Sequence, residues 1–114
     1  MTDTPPPALD RELQHPTRLA LVAYLSSCTE AEFGVVRDYC GISDSVTSKT
    51  VSALEKLGHV RVRKGYVGKR PRTWLALTPK GRRAFEAHLA ALEDIVAAAR
   101  RAGAEQQREQ ERQG

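Results

Sequence analysis

The stretch from Gly41 to Gly58 carries side chains that could contact a ligand directly. Its sequence, GISDSVTSKTVSALEKLG, predicts a single helix, because Ser43 suits the N-cap position and Gly58 suits the residue after the helix end. The polar groups predicted to face outward are short hydroxyls, one carboxylate and one amine, namely Ser43, Asp44, Ser45, Ser48, Lys49 and Ser52. Small polar side chains of this kind suit a helix that enters the DNA major groove closely.

Taken alone, these residues support two interpretations equally, an ordinary surface helix and a helix that binds in the DNA groove. Thr47, Val51 and Leu54 recur at helical spacing and predict its buried face. On the exposed face, Lys49 could address a guanine edge. Asp44 has two open roles, accepting from a cytosine amino group or supporting the positive start of the helix, and the second is favoured.

The positive charge of the chain is concentrated in one third of its length. The protein has 114 residues and a formal net charge of +4. The window from Lys56 to Arg83 holds ten Lys or Arg residues, and all 14 Asp and Glu residues lie outside it. Such segregation is typical of a surface that binds a polyanion such as DNA.

Alternating side chains within this window predict a two-stranded hairpin with a basic tip. His59 to Lys64 and Arg72 to Thr78 show strand periodicity, and the glycine-containing stretch from 65 to 71 is predicted as the turn. The first choices for phosphate or minor-groove contacts are Arg63, Lys64, Lys69 and Arg70, and the second choices are Arg61 and Arg72.

The remaining elements are predicted to be helical. Residues 1–8 read as a disordered tail, Leu9–Leu13 as a helical turn and Thr17–Ser27 as a helix. Thr29 to Cys40 reads as a further helix, with Thr29 and Glu32 at capping-box spacing. Its short connection to the helix after Gly41 is the helix-turn-helix arrangement. One domain, residues 9–102, would therefore be followed by a polar, frayed tail at 103–114.

Apolar residues in the last helix, predicted at about 79–102, continue further than one small domain needs for its core. Together with the N-terminal turn they predict a dimer surface. Its expected residues are Leu9, Leu13, Phe85, His88, Leu89, Leu92, Ile95, Val96 and Ala99.

Other functional classes lack their sequence signatures. The chain has no glycine-rich phosphate loop, nucleophile elbow or HExxH motif, so we expect neither an enzyme nor a cofactor. Cys28 and Cys40 lack CxxC spacing and the three histidines are scattered, so no metal site is expected. The cysteines are interpreted as small buried side chains, with a redox role left open. Without a signal peptide or an apolar span, a cytoplasmic protein without membrane contact is expected.

Three segments also resemble a known family, the small winged-helix transcriptional regulators related to MarR and ArsR. They are LDRELQHPTRLALVAYL, GISDSVTSKTVSALEKLGHV and RKGYVGKRPRTWLALTPKGRRAF. The resemblance implies a mainly α fold with a small antiparallel β-hairpin, a winged helix-turn-helix with a long C-terminal dimerisation helix. The helix at Asp44–Leu57 would be the recognition helix, and Lys64–Arg72 would form the wing.

The family resemblance further implies a homodimer that binds double-stranded DNA at a pseudo-palindromic operator, most simply as a repressor. Thr47 stands where such regulators often have Leu, so looser helix packing is expected. The chain is also shorter than typical MarR proteins, so their ligand pocket is expected to be absent; a small-molecule effector is possible but not indicated. The alternative is a protein-interaction module that uses the apolar C-terminal helix.

Overall fold

The computed structural model describes residues 8–114, so the predicted N-terminal tail lies almost entirely outside the described residues. A 3₁₀ turn at Arg11–Leu13 precedes the first helix. The helices and strands, in chain order, are α1 Pro16–Ser26, β1 Ala31–Glu32, α2 Phe33–Cys40, α3 Asp44–Lys56, β2 Val60–Val67, β3 Arg70–Leu77 and α4 Pro79–Gln113. The predicted fold class, a mainly helical winged helix-turn-helix with a long C-terminal helix, is confirmed.

The core lies between the helices and one side of the sheet. Leu21, Val22 and Leu25 of α1 are fully buried, and they pack in the same cluster as Leu54 of α3 and Leu75 of β3. Burial of these side chains removes apolar area from water and holds α3 against the rest of the domain.

The segment before α2 differs from the prediction, because residues 31 and 32 form strand β1 instead of the first turn of a helix. β1 pairs antiparallel with β3, with Ala31 opposite Leu75 and Glu32 opposite Trp74. The sheet order is therefore β1-β3-β2, with β3 in the centre. Thr29 caps no helix, since α2 begins only at Phe33 with Glu32 at its N-cap. Residues 31 and 32 thus pair with the distant strand β3 and do not form the predicted capping box.

The hairpin turn is much shorter than predicted. β2 and β3 pair continuously out to Val67 opposite Arg70, which leaves only Gly68 and Lys69 in the loop. Gly68 has a φ of 63°, and Lys69 has no positive φ. A two-residue hairpin with glycine at its first position is a type II′ turn, whose twist matches that of the strands. The strands therefore carry the basic tip outward as a narrow, stiff projection.

Thr78 and Gly81 join the wing to α4. The Thr78 hydroxyl accepts a hydrogen bond from the Gly81 N–H at 3.0 Å and donates to the Gly58 carbonyl at 2.5 Å. A Cβ on Gly81 would overlap the backbone carbonyl oxygen of His59 and lie 2.8 Å from Cδ1 of Leu77. Only glycine lets the first turn of α4 approach the start of β2 this closely.

α4 continues past its predicted end at residue 102 as far as Gln113. From Glu93 onward every residue is exposed, and the helix gives the molecule its long dimension of 74 Å. Side-chain pairs such as Gln107–Glu111, three or four residues apart, support the polar end of the helix. None of the helices in residues 8–114 is long and apolar enough to span a membrane.

Candidate nucleic-acid interface

Helix α3 has the capped start and the buried face that the sequence predicts. The Ser43 side chain accepts from the Val46 N–H at 3.1 Å, and Gly58 follows the helix end with a φ of 77°. Thr47 is fully buried, and its hydroxyl donates to the Ser43 carbonyl at 2.7 Å. The expected loosening from threonine at this position is therefore not seen, because its one polar group is satisfied within the helix.

The opposite side of α3 presents Ser45, Lys49 and Ser52, which we call the polar face of α3. All three side chains are exposed, and no other element covers them. At 100° per residue, Lys56 also projects on this side, seven residues after Lys49. The sequence prediction placed Lys56 in the basic window and missed its place on the helix face, although the i, i+7 spacing would have shown it.

Ser48 lies on the flank of α3 that turns toward the sheet. An open groove of about 360 Å³ runs between α3 and the hairpin and is lined by Ser48, Ser52, Lys64 and Thr73, among others. Glu55 also lines this groove, and the sequence prediction did not include it. The hydroxyls and Lys64 are groups that bind a nucleic-acid backbone, whereas the apolar floor and the Glu55 carboxylate do not favour a phosphate.

Asp44 forms an ion pair within the chain, which agrees with the favoured one of its two predicted roles, support of the helix start. Its carboxylate accepts from Arg37 of α2 at 2.7 Å, and the same guanidinium contacts Asp38 at 2.9 Å. These carboxylates raise the pKa of Arg37 above its ordinary value. Asp44 therefore links α2 to the first turn of α3, where an anion also interacts favourably with the helix dipole.

The β2–β3 hairpin, which we call the wing, has two sides that differ in charge. Strand alternation places Val62, Lys64 and Thr73 on the side facing α3, the groove side. The opposite side, the far side, carries the only tryptophan and several cations, namely Trp74, Arg61, Arg63 and Arg72, and Arg70 at the start of β3 has the same strand parity. Lys69 and Arg70 lie at the wing tip and are exposed.

Two of the six predicted wing cations are paired with carboxylates. Arg63 contacts Glu30 at 2.6 Å, and Arg72 contacts Glu32 at 2.7 Å. The hydrogen bond from Arg63 lowers the pKa of Glu30 below its ordinary value. Among residues 8–114, the other four form no ion pair, namely Arg61, Lys64, Lys69 and Arg70. The wing cations without a carboxylate partner are thus those of the wing tip, Lys64 on the groove side and Arg61 on the far side.

Three residues predicted to form a dimer surface belong instead to the core of the chain. Leu13 is fully buried, Phe85 is 9% exposed and His88 is 2% exposed. His88 Nδ1 accepts a hydrogen bond from the backbone N–H of Asp10 at 3.0 Å. These contacts seat the 3₁₀ turn on α4, so the three side chains are unavailable to a second molecule.

The other predicted dimer residues remain accessible. Leu89, Ile95 and Val96 are between 38% and 49% exposed, Ala99 is exposed, and Leu92 and Leu9 are half-buried. The five residues on α4 recur at helical spacing where the helix leaves the domain. They form an apolar stripe on α4 whose length exceeds what the core of one chain covers.

The part of the chain that the structure describes offers little for metal or redox chemistry. No three His, Cys, Asp or Glu side chains within it are arranged to hold a metal ion. Cys28 and Cys40 are both free and half-buried, and burial raises the pKa of the Cys40 thiol. A raised pKa lowers the thiolate fraction, so Cys40 is a poor nucleophile.

A family model described as a winged helix DNA-binding domain matches residues 17–96 of the chain. This range includes α1, the helix-turn-helix, the sheet and the first half of α4. A search among curated proteins found no match.

Solved structures, among them two described as transcriptional regulators, share the fold. A transcriptional regulator homologue from Pyrococcus horikoshii is similar over 79% of this chain and 89% of its own, with 22% identity and a TM-score of 0.73. The YusO protein of Bacillus subtilis has 21% identity and a TM-score of 0.64, over 74% of this chain and 59% of its own. A MarR family regulator from Silicibacter pomeroyi has 28% identity and a TM-score of 0.61, over 76% of this chain and 57% of its own.

Proposed function

Since this chain belongs to the winged helix DNA-binding domain family, as its resemblance to MarR-related regulators predicted, we propose that it is a sequence-specific transcriptional regulator of double-stranded DNA. The observation that carries the proposal is the placement of the polar face of α3. It lies beside a groove whose other wall carries Lys64, and the wing tip with Lys69 and Arg70 projects beyond it. Short hydroxyls next to unpaired cations suit base edges flanked by phosphates.

In this mechanism the two parts contribute differently to binding. Each phosphate that a cation neutralises adds about 0.9 to the salt slope and strengthens binding to every sequence alike. The wing tip and Lys64 supply this general affinity, together with a contact to the backbone or the adjacent minor groove. Ser45, Ser48, Lys49 and Ser52 face the major groove and supply the choice of sequence.

The protein acts as a homodimer in this proposal, joined through the apolar stripe on α4. The stripe lies on the part of α4 that leaves the domain, and the helix continues about four turns beyond it, to Gln113, as an exposed polar arm. Pairing with the same stripe of a second copy would remove Leu89, Ile95 and Val96 from water. A two-fold dimer presents two α3 helices, so the operator is pseudo-palindromic with half-sites about one helical turn apart.

In this proposal the regulator is a repressor, since occupying promoter DNA is enough to block transcription and needs no activity beyond DNA binding. The proposal places the protein in the cytoplasm with the DNA. The test is selection of bound duplexes from a random pool by purified protein, with sedimentation equilibrium run on the same sample. We expect a two-fold symmetric motif and a dimer mass.

The possible results separate the parts of the proposal. Failure to retain any duplex at low salt would refute DNA binding. An asymmetric single half-site together with a monomer mass would refute the dimer, and the apolar stripe on α4 would then be a surface for another protein.

A further inference from the structure

The far side of the wing holds an arrangement that the DNA-binding mechanism does not use. Arg63 of β2 lies across Trp74 of β3, with its guanidinium carbon 4.1 Å from the centre of the ring. The same guanidinium donates to both carboxylate oxygens of Glu30, at 2.6 Å and 3.3 Å. The Arg63 side chain therefore stretches from the free edge strand, over the central strand, to the residue just before β1.

A second arginine–glutamate ion pair lies beside the first on the same side of the wing. Arg72 of β3 contacts Glu32 of β1 at 2.7 Å. Because side chains two residues apart point to the same side of a strand, Glu30 and Glu32 both lie on the far side. Two carboxylates at one edge of the sheet thus hold two arginines of the wing.

The cations near the DNA surface have no such partners. Lys64 lies on the groove side and Lys69 and Arg70 at the wing tip, and none of them pairs with a carboxylate within residues 8–114. A duplex seated on the polar face of α3 meets these three first. To reach a phosphate, Arg63 would have to leave both Glu30 and Trp74.

We propose that Glu30 and Glu32 are specificity-determining residues that hold Arg63 and Arg72 on the far side of the wing and so keep them off the DNA. This inference rests on the proposed function. Phosphate contacts strengthen binding to all sequences equally, whereas only base contacts discriminate between them. Two fewer phosphate contacts therefore leave a larger share of the binding energy to the polar face of α3.

The strength of these pairs suits a role of this kind. Exposed ion pairs are weak and screened by salt, but the Arg63–Glu30 contact is two-pronged and better defined, and stacking on Trp74 adds a cation–π attraction, whereas Arg72–Glu32 is a single contact. The competing contact, an arginine on an exposed phosphate, is also screened by solvent. The arginines therefore need only a modest preference for the glutamates to stay in place.

The experiment is a double-mutant cycle that measures binding to a random duplex across a series of salt concentrations. Its four proteins are the wild type, Glu30→Gln/Glu32→Gln, Arg63→Gln/Arg72→Gln and the combination of all four changes. We expect the glutamine-for-glutamate variant to bind up to roughly eightfold more tightly per released arginine at 0.1 M salt, with a slope steeper by about 0.9 for each. The ratio of the affinity for a selected operator sequence to the affinity for the random duplex should then be smaller than in the wild type.

The arginine variant serves as the matched control. Replacing Arg63 and Arg72 in the wild type should leave random-duplex binding nearly unchanged, because those side chains are already held away. In the arginine-free background, removing the glutamates should give only the small gain that comes from lower negative charge. The difference between the two gains is the coupling through the arginines.

Several results would overturn the inference. Equal gains with and without the arginines would show that the glutamates act only through their charge. A large loss in Arg63→Gln/Arg72→Gln would show that the arginines contact DNA in the wild type. If the wild type binds no duplex, the proposed function itself is refuted. If the wild type binds DNA but the double-mutant cycle shows no coupling between the glutamates and the arginines, only the role of the glutamates is refuted.

Trp74 gives a readout that does not depend on DNA affinity. It is the only tryptophan in the chain, so the fluorescence of the protein reports on the ring that Arg63 covers. Emission should change in Glu30→Gln without DNA, and it should stay constant when the wild type is titrated with a duplex. A change on DNA addition to the wild type would mean that Arg63 leaves the ring, which contradicts the proposal.

Discussion

The polar face of α3 and the far side of the wing are both polar surfaces, but they differ in where their side chains find partners. Ser45, Lys49 and Ser52 are exposed, and their side chains form no ion pair within residues 8–114. On the far side, Arg63 and Arg72 are satisfied by Glu30 and Glu32. The comparison shows that the number of charges in a sequence overstates the number offered to a ligand. A binding surface is identified better by its unpaired groups.

The largest effect is expected from a substitution at the contact between the first turn of α4 and the start of β2, which supports both regions. Gly81→Ala places a methyl group against the His59 carbonyl and Cδ1 of Leu77, where the backbone leaves no room. We expect a loss of about 3 kcal/mol in the free energy of unfolding, at the upper end for overpacked sites. Urea or thermal denaturation measures it.

Gly103→Ala is the matched control for this substitution. Gly103 also lies in α4, but a Cβ there meets nothing within 4 Å. Alanine should stabilise the helix by up to about 1 kcal/mol. If both substitutions have the same effect, the close approach at Gly81 does not limit the fold.

The contact at Gly81 also shows which features can be predicted from the sequence and which cannot. The N-cap at Ser43, the buried face of α3 and the pairing of the two wing strands all follow from local spacing, and the structure bears them out. The Gly81 contact involves His59, which only the folded chain brings near. The sequence shows a glycine at position 81, but it does not show that the His59 carbonyl leaves no room for a side chain there.

The errors of the sequence prediction have the same physical origin. Glu30 and Arg63 are 33 residues apart, so no local pattern reveals that the glutamate neutralises the arginine. β1 forms because β3 offers it an edge, and a capping-box pattern cannot show that competition. His88 is buried because the backbone of Asp10, 78 residues earlier, donates to it. Local periodicity predicts elements, whereas it does not predict which distant groups pair.

The next largest effect tests the wing tip against the far side directly. Lys69→Ala/Arg70→Ala removes two unpaired cations, and it should lower the salt slope for any duplex by about 1.8 and weaken binding roughly 60-fold at 0.1 M salt. Arg63→Gln/Arg72→Gln removes two paired cations and should have little effect. Titrations of one random duplex at several salt concentrations measure both. Equal losses in the two variants would erase the distinction between the regions.

A smaller effect is expected within the polar face of α3. Lys49→Ala should relax the preference at one base pair by about 1 kcal/mol, the lower end for a direct base contact. Lys56→Ala removes the same charge from the end of that helix and should weaken all duplexes alike. Binding to the selected operator and to its single-base variants separates the two outcomes. If Lys49→Ala also weakens every duplex equally, Lys49 contacts phosphate only.

The smallest effect concerns the far side alone and depends on pH. Arg63 lowers the pKa of Glu30 below its ordinary value of 4.5, so the folded state binds this proton less readily than the unfolded chain. The stabilising contribution of the pair is therefore present above about pH 4.5, and it is lost as the pH falls through the lower pKa of the folded state. Trp74 emission should follow this loss, since Arg63 leaves the ring once Glu30 is neutral.

The control for the pH experiment is Glu30→Gln, in which no carboxylate holds Arg63 at any pH. The emission of the wild type should change with a midpoint below pH 4.5 and approach that of the variant, whose own emission should stay flat over the same range. A wild-type midpoint above 4.5 would mean that Arg63 does not stabilise the ionised carboxylate. A transition that persists unchanged in Glu30→Gln would assign it to another carboxylate, and Glu30 would then not be the group that holds Arg63 over Trp74.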